Sequence, residues 1–277
     1  MQTNEEFGSQ GELPTHPELL DWLATEFQSK WDVKGLLRLM VTSATYRQSS
    51  VASAERLEAD PANRWYARGP RFRVSAKMVR DQALSVSGLL SNKMYGPPVK
   101  PPQPALGLKA AFGSGTDWQT SKGEDKFRRG LYTSWRRSSL YPSMAAFDAP
   151  NREICISRRG RTNTPLQALV TLNDPVYIEA AQALARRIVE SSDSVEARAA
   201  FALATCLIRP ASAAEVEQVA ALYKKAQARF SATPDEAKAM AEEPLGALPS
   251  GADAAEYAAW TVVGNVILNL DEMFLKR

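Results

Sequence analysis

"RRGRTNTPLQALVTLNDPVYIEAAQALARRIVE", residues 158–190, decides the fold. Thr164-Pro-Leu-Gln167 has the form of a helix start. A Thr oxygen can accept the amide three residues on, Gln can reach back, and Pro165 sits where a missing N–H costs little. Asn173-Asp174-Pro175 then ends one short helix and caps the next. Behind it Val176, Ile178, Ala181, Leu184, Ala185 and Ile188 recur at the helical period. These are two capped helix starts separated by one short apolar helix, and helix signals of this kind dominate the chain.

The same signals repeat outward. Thr15 and Glu18 frame a capping box around Pro17, and Leu19, Leu20, Leu23 and Phe27 follow at helical spacing. Asp32 opens a second helix with an apolar stripe of Leu36, Leu37, Met40 and Val41, and Ser75 a third with Met78, Val79, Leu84, Leu89 and Leu90. Phe201, Leu203, Leu207 and Ile208 define a helix broken by Arg209-Pro210. Ser212 with Glu215, and Thr233 with Glu236, are further capping boxes. The stretch 242–259 reads as a flexible connection into a last amphipathic helix carrying Trp260, Val263, Ile267 and Leu270.

The middle differs. "YGPPVKPPQPALG" at 95–107 is extended or turning by its Pro and Gly content. Residues 112–127 read as a long polar loop. In 128–137, Leu131, Thr133 and Trp135 alternate as in a strand, while Phe127, Leu131 and Trp135 keep a helical spacing. Their Thr and aromatic content favours a short strand, with 153–159 as its partner. The expected fold is mainly α, an irregular multi-helix domain with a small β element in the basic middle segment. Residues 1–190 form its main part and 191–277 a helical C-terminal subdomain packed on it.

The chain has 277 residues, 44% apolar and 23% charged, enough for a sizeable core. Net charge is only +3, but it is sorted: residues 121–161 hold ten basic and four acidic side chains, and residues from 211 onward six and ten. No stretch approaches the ~20 apolar residues of a membrane span, and "MQTNEEFGSQ" has neither the basic start nor the apolar run of a signal peptide. A pI of 8.8 gives no support to nucleic-acid binding. His16 is the sole histidine, in a first helical turn, so a zinc site or a His-based triad is not expected, and no metal is assigned. Cys155 and Cys206 read as two buried thiols, with a disulfide as the alternative.

The arginines are the sharpest feature. Arg136, Arg137, Arg152, Arg158, Arg159 and Arg161, with the helix start at Thr164, form a candidate site for a sulfate, phosphate or carboxylate. The competing reading is a rigid polar joint in which some arginines pair with Asp148, Glu153 and Asp174. Asp148 and Asp174, each near a proline, read as structural caps or Asx turns, as do Thr15 and Glu18 at the first helix.

Several long motifs occur in order: "EFGSQGELPTHPELLDWLA" at 6–24, "VTSATYRQSS" at 41–50, "DPANRWYARGPRFRVSAKMVRDQALSVSGLL" at 60–90, "KGEDKFRRGLYTSWRR" at 122–137 and "FDAPNREICISRRGRTNTPLQALVTLNDP" at 147–175. Together they resemble the planctomycete-type PSD domain of unknown function found at the C-terminus of cytochrome-c-associated multidomain proteins. The resemblance implies an exported protein, periplasmic or at the cell surface. It also implies upstream cytochrome-c-like and uncharacterised domains as partners, with haem on the upstream domain and no cofactor in this chain. It implies no reaction. The expectation is an accessory or binding module whose arginines take an anionic, sulfated or acidic glycan. The alternatives are an enzyme with carboxylate-based chemistry, a hydrolase or redox accessory, and a purely structural docking domain marked by an exposed apolar patch near the N-terminus.

Overall fold

The computed structural model describes residues 8–104, 118–136, 140–153, 156 and 159–276. Twelve α-helices lie among them, in two compact units. The first unit comprises residues 1–73 with 155–159 and 275–277. The second comprises residues 74–154 and 160–274. The N-terminal boundary between them falls at 73/74, and the long central helix that ends at Ser191 shares one core with its neighbours before and after it in sequence.

The first unit holds α1 (Pro17–Lys30), α2 (Val33–Thr42) and α3 (Ala54–Ala59). A two-residue antiparallel ladder pairs β1 (Phe72–Arg73) with β2 (Leu275–Lys276). Asp32 caps α2 by accepting the Gly35 N–H at 2.9 Å. The first capping box does not form. The N-cap of α1 is His16, so Glu18 falls at the second helical position, where it cannot reach back, and the Thr15 hydroxyl meets His16 Nδ1 at 3.0 Å instead.

The second unit contains α4 (Ala76–Ser87), α5 (Pro142–Ala146), α6 (Pro165–Asn173), α7 (Pro175–Ser191), α8 (Val195–Leu207), α9 (Ala213–Ala232), α10 (Pro234–Glu242), α11 (Ala254–Leu268) and α12 (Asp271–Phe274). Its axis is the pair α7 and α11. Alanines on both helices are fully buried, and this small-residue surface lets the two backbones approach. At Gly264 a Cβ would stand only 3.2 Å from the Ala181 carbonyl oxygen. Contrary to the amphipathic expectation, α11 is buried on almost every side, as a helix apolar all round must be. Trp260 lies at its centre, stacked on Tyr223 with ring centroids 4.4 Å apart.

The stretch before α11 is held. Buried Gln182 donates to the Met240 and Glu243 carbonyls at 2.8 and 2.7 Å and accepts the Leu245 N–H at 3.0 Å. Residues 254–259, expected in a flexible connection, are the first turns of α11. Asp174 caps α7 through Val176 N–H at 3.0 Å, and Ser212 with Glu215 makes a complete capping box on α9. Thr164 is the N-cap of α6 but its hydroxyl caps nothing. Gln167, expected to close that box, is buried and donates to the Ala146 carbonyl at 3.1 Å, tying α5 to α6. Thr233 makes no side-chain cap either.

In the basic middle the β element takes the form of isolated parallel bridges, Ser91 with Arg128 and Val99 with Thr133. Between them Gly130–Tyr132 winds into a 3₁₀ turn rather than a strand, because the Gly130 N–H is taken by Asp81 at 2.6 Å. The expected partner strand at 153–159 lies mostly outside the described residues.

Candidate functional site

The arginines singled out by sequence do not assemble into one described cluster. Arg137 and Arg158 lie outside the described residues. Arg159 is exposed and belongs to the first unit, whereas Arg136, Arg152 and Arg161 belong to the second. Arg152 stacks its guanidinium over the Trp135 ring at 4.8 Å, and Arg136 and Arg161 are engaged by neighbours of their own. Asp148 is not a helix cap. Its carboxylate accepts both the backbone N–H of Thr162, at 2.6 Å, and the Thr162 hydroxyl, clasping the chain just ahead of α6. Part of the polar run before α6 is thus held through Asp148 and Thr162.

Two other arginines are fully buried in the second unit. Arg80, 1% exposed, donates to the carbonyls of Arg128 at 2.6 Å and Lys126 at 2.9 Å. Arg128, also 1% exposed, donates to the Tyr95 carbonyl and, at 3.2 Å, to that of Pro97, with its guanidinium 3.8 Å over the Tyr132 ring. Asp81 receives the Gly130 N–H, and burial holds its carboxyl above the ordinary range. Glu179 is also raised by burial and is paired with Lys126. Asp174 is raised to about 6 by burial, only partly offset by the Val176 N–H and the charge of Arg80. Tyr141 donates to the Pro102 carbonyl at 2.5 Å, and Tyr177 is wholly buried near the same charges. Both guanidinium groups are spent on backbone carbonyls of the irregular segments 95–97 and 126–128, whose polar groups lack ladder partners. This cluster staples loops. Sequence reasoning passed over Arg80, although it shares the face of Ala76, Val79, Ala83 and Leu84, the buried face of α4.

The first unit is built differently. None of the apolar side chains described between residues 8 and 73 is buried. Trp22 is 49% exposed, Trp31 73% and Trp65 66%. Leu19 and Leu23 of the α1 stripe and Met40 of the α2 stripe border an open hollow of about 930 Å³. Leu19, Trp22, Leu23, Met40, Tyr46 and Tyr66 supply much of its wall.

One side of the hollow is the loop 60–71, and that loop is pinned. Buried Asp60 accepts the N–H groups of Arg64 and Trp65, each at 2.8 Å, and the Trp65 bond draws its carboxyl below the ordinary range. Asn63, at φ +52°, exchanges two hydrogen bonds with the backbone of Arg68. Gln48 donates to the Tyr66 carbonyl at 3.0 Å, and the Gly69 N–H reaches the Ser49 carbonyl at 2.9 Å. At Gly69 the backbones meet so closely that a Cβ would lie 2.3 Å from the Gln48 oxygen. Tyr66 holds φ +53°, an uncommon backbone for an aromatic residue, with its ring stacked on His16 at 4.7 Å. This constrained loop displays Trp65 and Tyr66 to solvent. The signal in the sequence was "RWYAR", aromatics set among turn residues with neither helical nor strand period.

Among the described residues no group of three or more His, Cys, Asp or Glu is placed to hold a metal ion, and no helix is long and apolar enough to cross a membrane. Cys206 is a free thiol, pushed up to about 12 by burial; Cys155 lies outside the described residues. The family model PSD1, described as a protein of unknown function (DUF1553), matches residues 1–223. No curated protein and no solved structure matches the chain.

Proposed function

The chain belongs to the PSD1 family, and we propose that it is a non-catalytic docking module whose first unit receives an apolar segment of a partner protein. The observation that carries this reading is the absence of any buried apolar side chain between residues 8 and 73 among those described, beside an ordinary core in the second unit. Apolar helix stripes left in water cost free energy in proportion to their area, and a partner that covers them recovers it. The composition of the face fits this role. Tryptophan, tyrosine, methionine and arginine are the residues enriched where proteins meet. Exposed Trp31, Leu37 and Trp65 lie outside the wall of the hollow, which favours a protein segment over a small ligand. In this proposal the segment comes from a neighbouring domain of an exported multidomain protein, and haem belongs on that neighbour.

Selection from a random peptide library, with the full chain as bait and a Leu19→Glu/Met40→Glu chain as counter-bait, tests it. Peptides retained by the wild type alone support docking in the hollow. Equal retention by both chains, or by neither, refutes it.

Binding of an anionic glycan is a second reading, favoured by the exposure of Arg159 and Arg161. Retention on a dextran sulfate column that is unchanged in Arg159→Ala/Arg161→Ala would remove it.

A further inference from the structure

The hollow of the first unit carries charge of one sign. Arg68 and Arg71 are the charged residues of its lining, and no carboxylate belongs to it. We propose that the hollow reads an acidic amphipathic peptide segment: its apolar side chains fill the space between α1 and the 60–71 loop, and a carboxylate among them meets Arg71 and Arg68. This rests on the docking reading above and adds the chemistry of the occupant.

Arg71 is exposed and has no hydrogen bond or ion pair among the described residues. Arg68 is held in place. Its Nη2 donates to the Pro61 carbonyl at 2.9 Å and its backbone is clasped by Asn63, whereas Nη1 is shielded from water with no acceptor. Two acids of this unit are occupied elsewhere. Asp60 acts on Arg68 through its charge, but both its oxygens are taken by the Arg64 and Trp65 N–H groups. Glu12 pairs with Arg64 at 2.7 Å. An incoming carboxylate therefore finds a cation beside an apolar wall, where water competes less and charge-assisted bonds are stronger. Because the loop is already pinned, little ordering opposes binding.

The peptide selection separates this from the docking reading. On wild type, the retained peptides should combine Leu, Phe or Trp with Asp or Glu, and acidic peptides should outnumber basic ones by about tenfold. On Arg71→Glu, a surface substitution that breaks no described contact, the same apolar residues should persist while the preference turns to Lys and Arg. Apolar peptides retained without any charge preference, or a preference unmoved by Arg71→Glu, overturn the carboxylate reading and leave docking standing. No enrichment over the Leu19→Glu/Met40→Glu chain overturns both. A chain that elutes as a dimer in which Arg71 is shielded from water, and that retains no peptide until diluted to monomer, overturns the peptide in favour of a second copy.

Discussion

Replacing Asp174 with Asn should stabilise the protein at neutral pH. Asp174 is 4% exposed and its carboxylate accepts a single described hydrogen bond, from Val176 N–H at 3.0 Å. Burial raises its carboxyl from 3.8 to about 6, against the charge of Arg80. The folded state therefore holds a proton that the unfolded chain has already released between about pH 4 and 6. Stability falls as pH rises through that window, because there the native state binds more protons. Two pKa units correspond to roughly 3 kcal/mol, lost by pH 7. Asn serves as an N-cap as well as Asp does and carries no charge to bury. Some attraction to Arg80 disappears with the carboxylate, leaving an expected gain of about 1–2 kcal/mol at pH 7.5. At pH 4 the two proteins should be equal, since Asp174 is then neutral. Urea unfolding of both chains at pH 4 and 7.5 measures this. A variant less stable at pH 7.5, beside a wild type whose stability does not fall from pH 4 to 6.5, would show that Asp174 is an ionised partner of Arg80 and that the buried cluster has been misread.

Other substitutions test the packing. Ile208 ends α8 at φ +56° and is 83% exposed, so Ile208→Gly should raise the melting temperature by a few degrees, about 1 kcal/mol, by removing strain at a β-branched residue. Gly264→Val forces a side chain against the Ala181 carbonyl and should cost about 1–3 kcal/mol in urea unfolding. Arg128→Met keeps the volume but strips the carbonyls of Tyr95 and Pro97 of their donor; a loss of about 2–4 kcal/mol is expected, with faster amide exchange in residues 91–99.

The helical core was legible because its signals are local. A cap at Asp174, Asp32 or Ser212 depends on a few consecutive residues, and the helical period of 176–188 lies within one helix. Thr15 and Thr164 show where local signals stop. Each precedes a proline by one or two residues with an acid or amide at the right spacing, yet a one-residue shift in helix start, or a tertiary use for Gln167, removes the box. The candidate site was harder to see for a related reason. An apolar stripe states that a face will be covered, not by what, and α1 and α2 bury none of their residues. Charge in sequence was no guide to burial. The arginines of 136–161 stood out, whereas the fully buried pair is Arg80, on the apolar face of α4, and Arg128, beside Arg129 in the same basic stretch.

The most direct measurement is calorimetric titration of the full chain with the most strongly selected peptide, for wild type and Met40→Glu. Burial of the apolar walls should give a negative heat-capacity change, and a carboxylate placed in the hollow should weaken binding by tenfold or more, about 1.4 kcal/mol. Equal affinity for the two chains, or binding without a heat-capacity change, would contradict docking on the apolar face of the first unit.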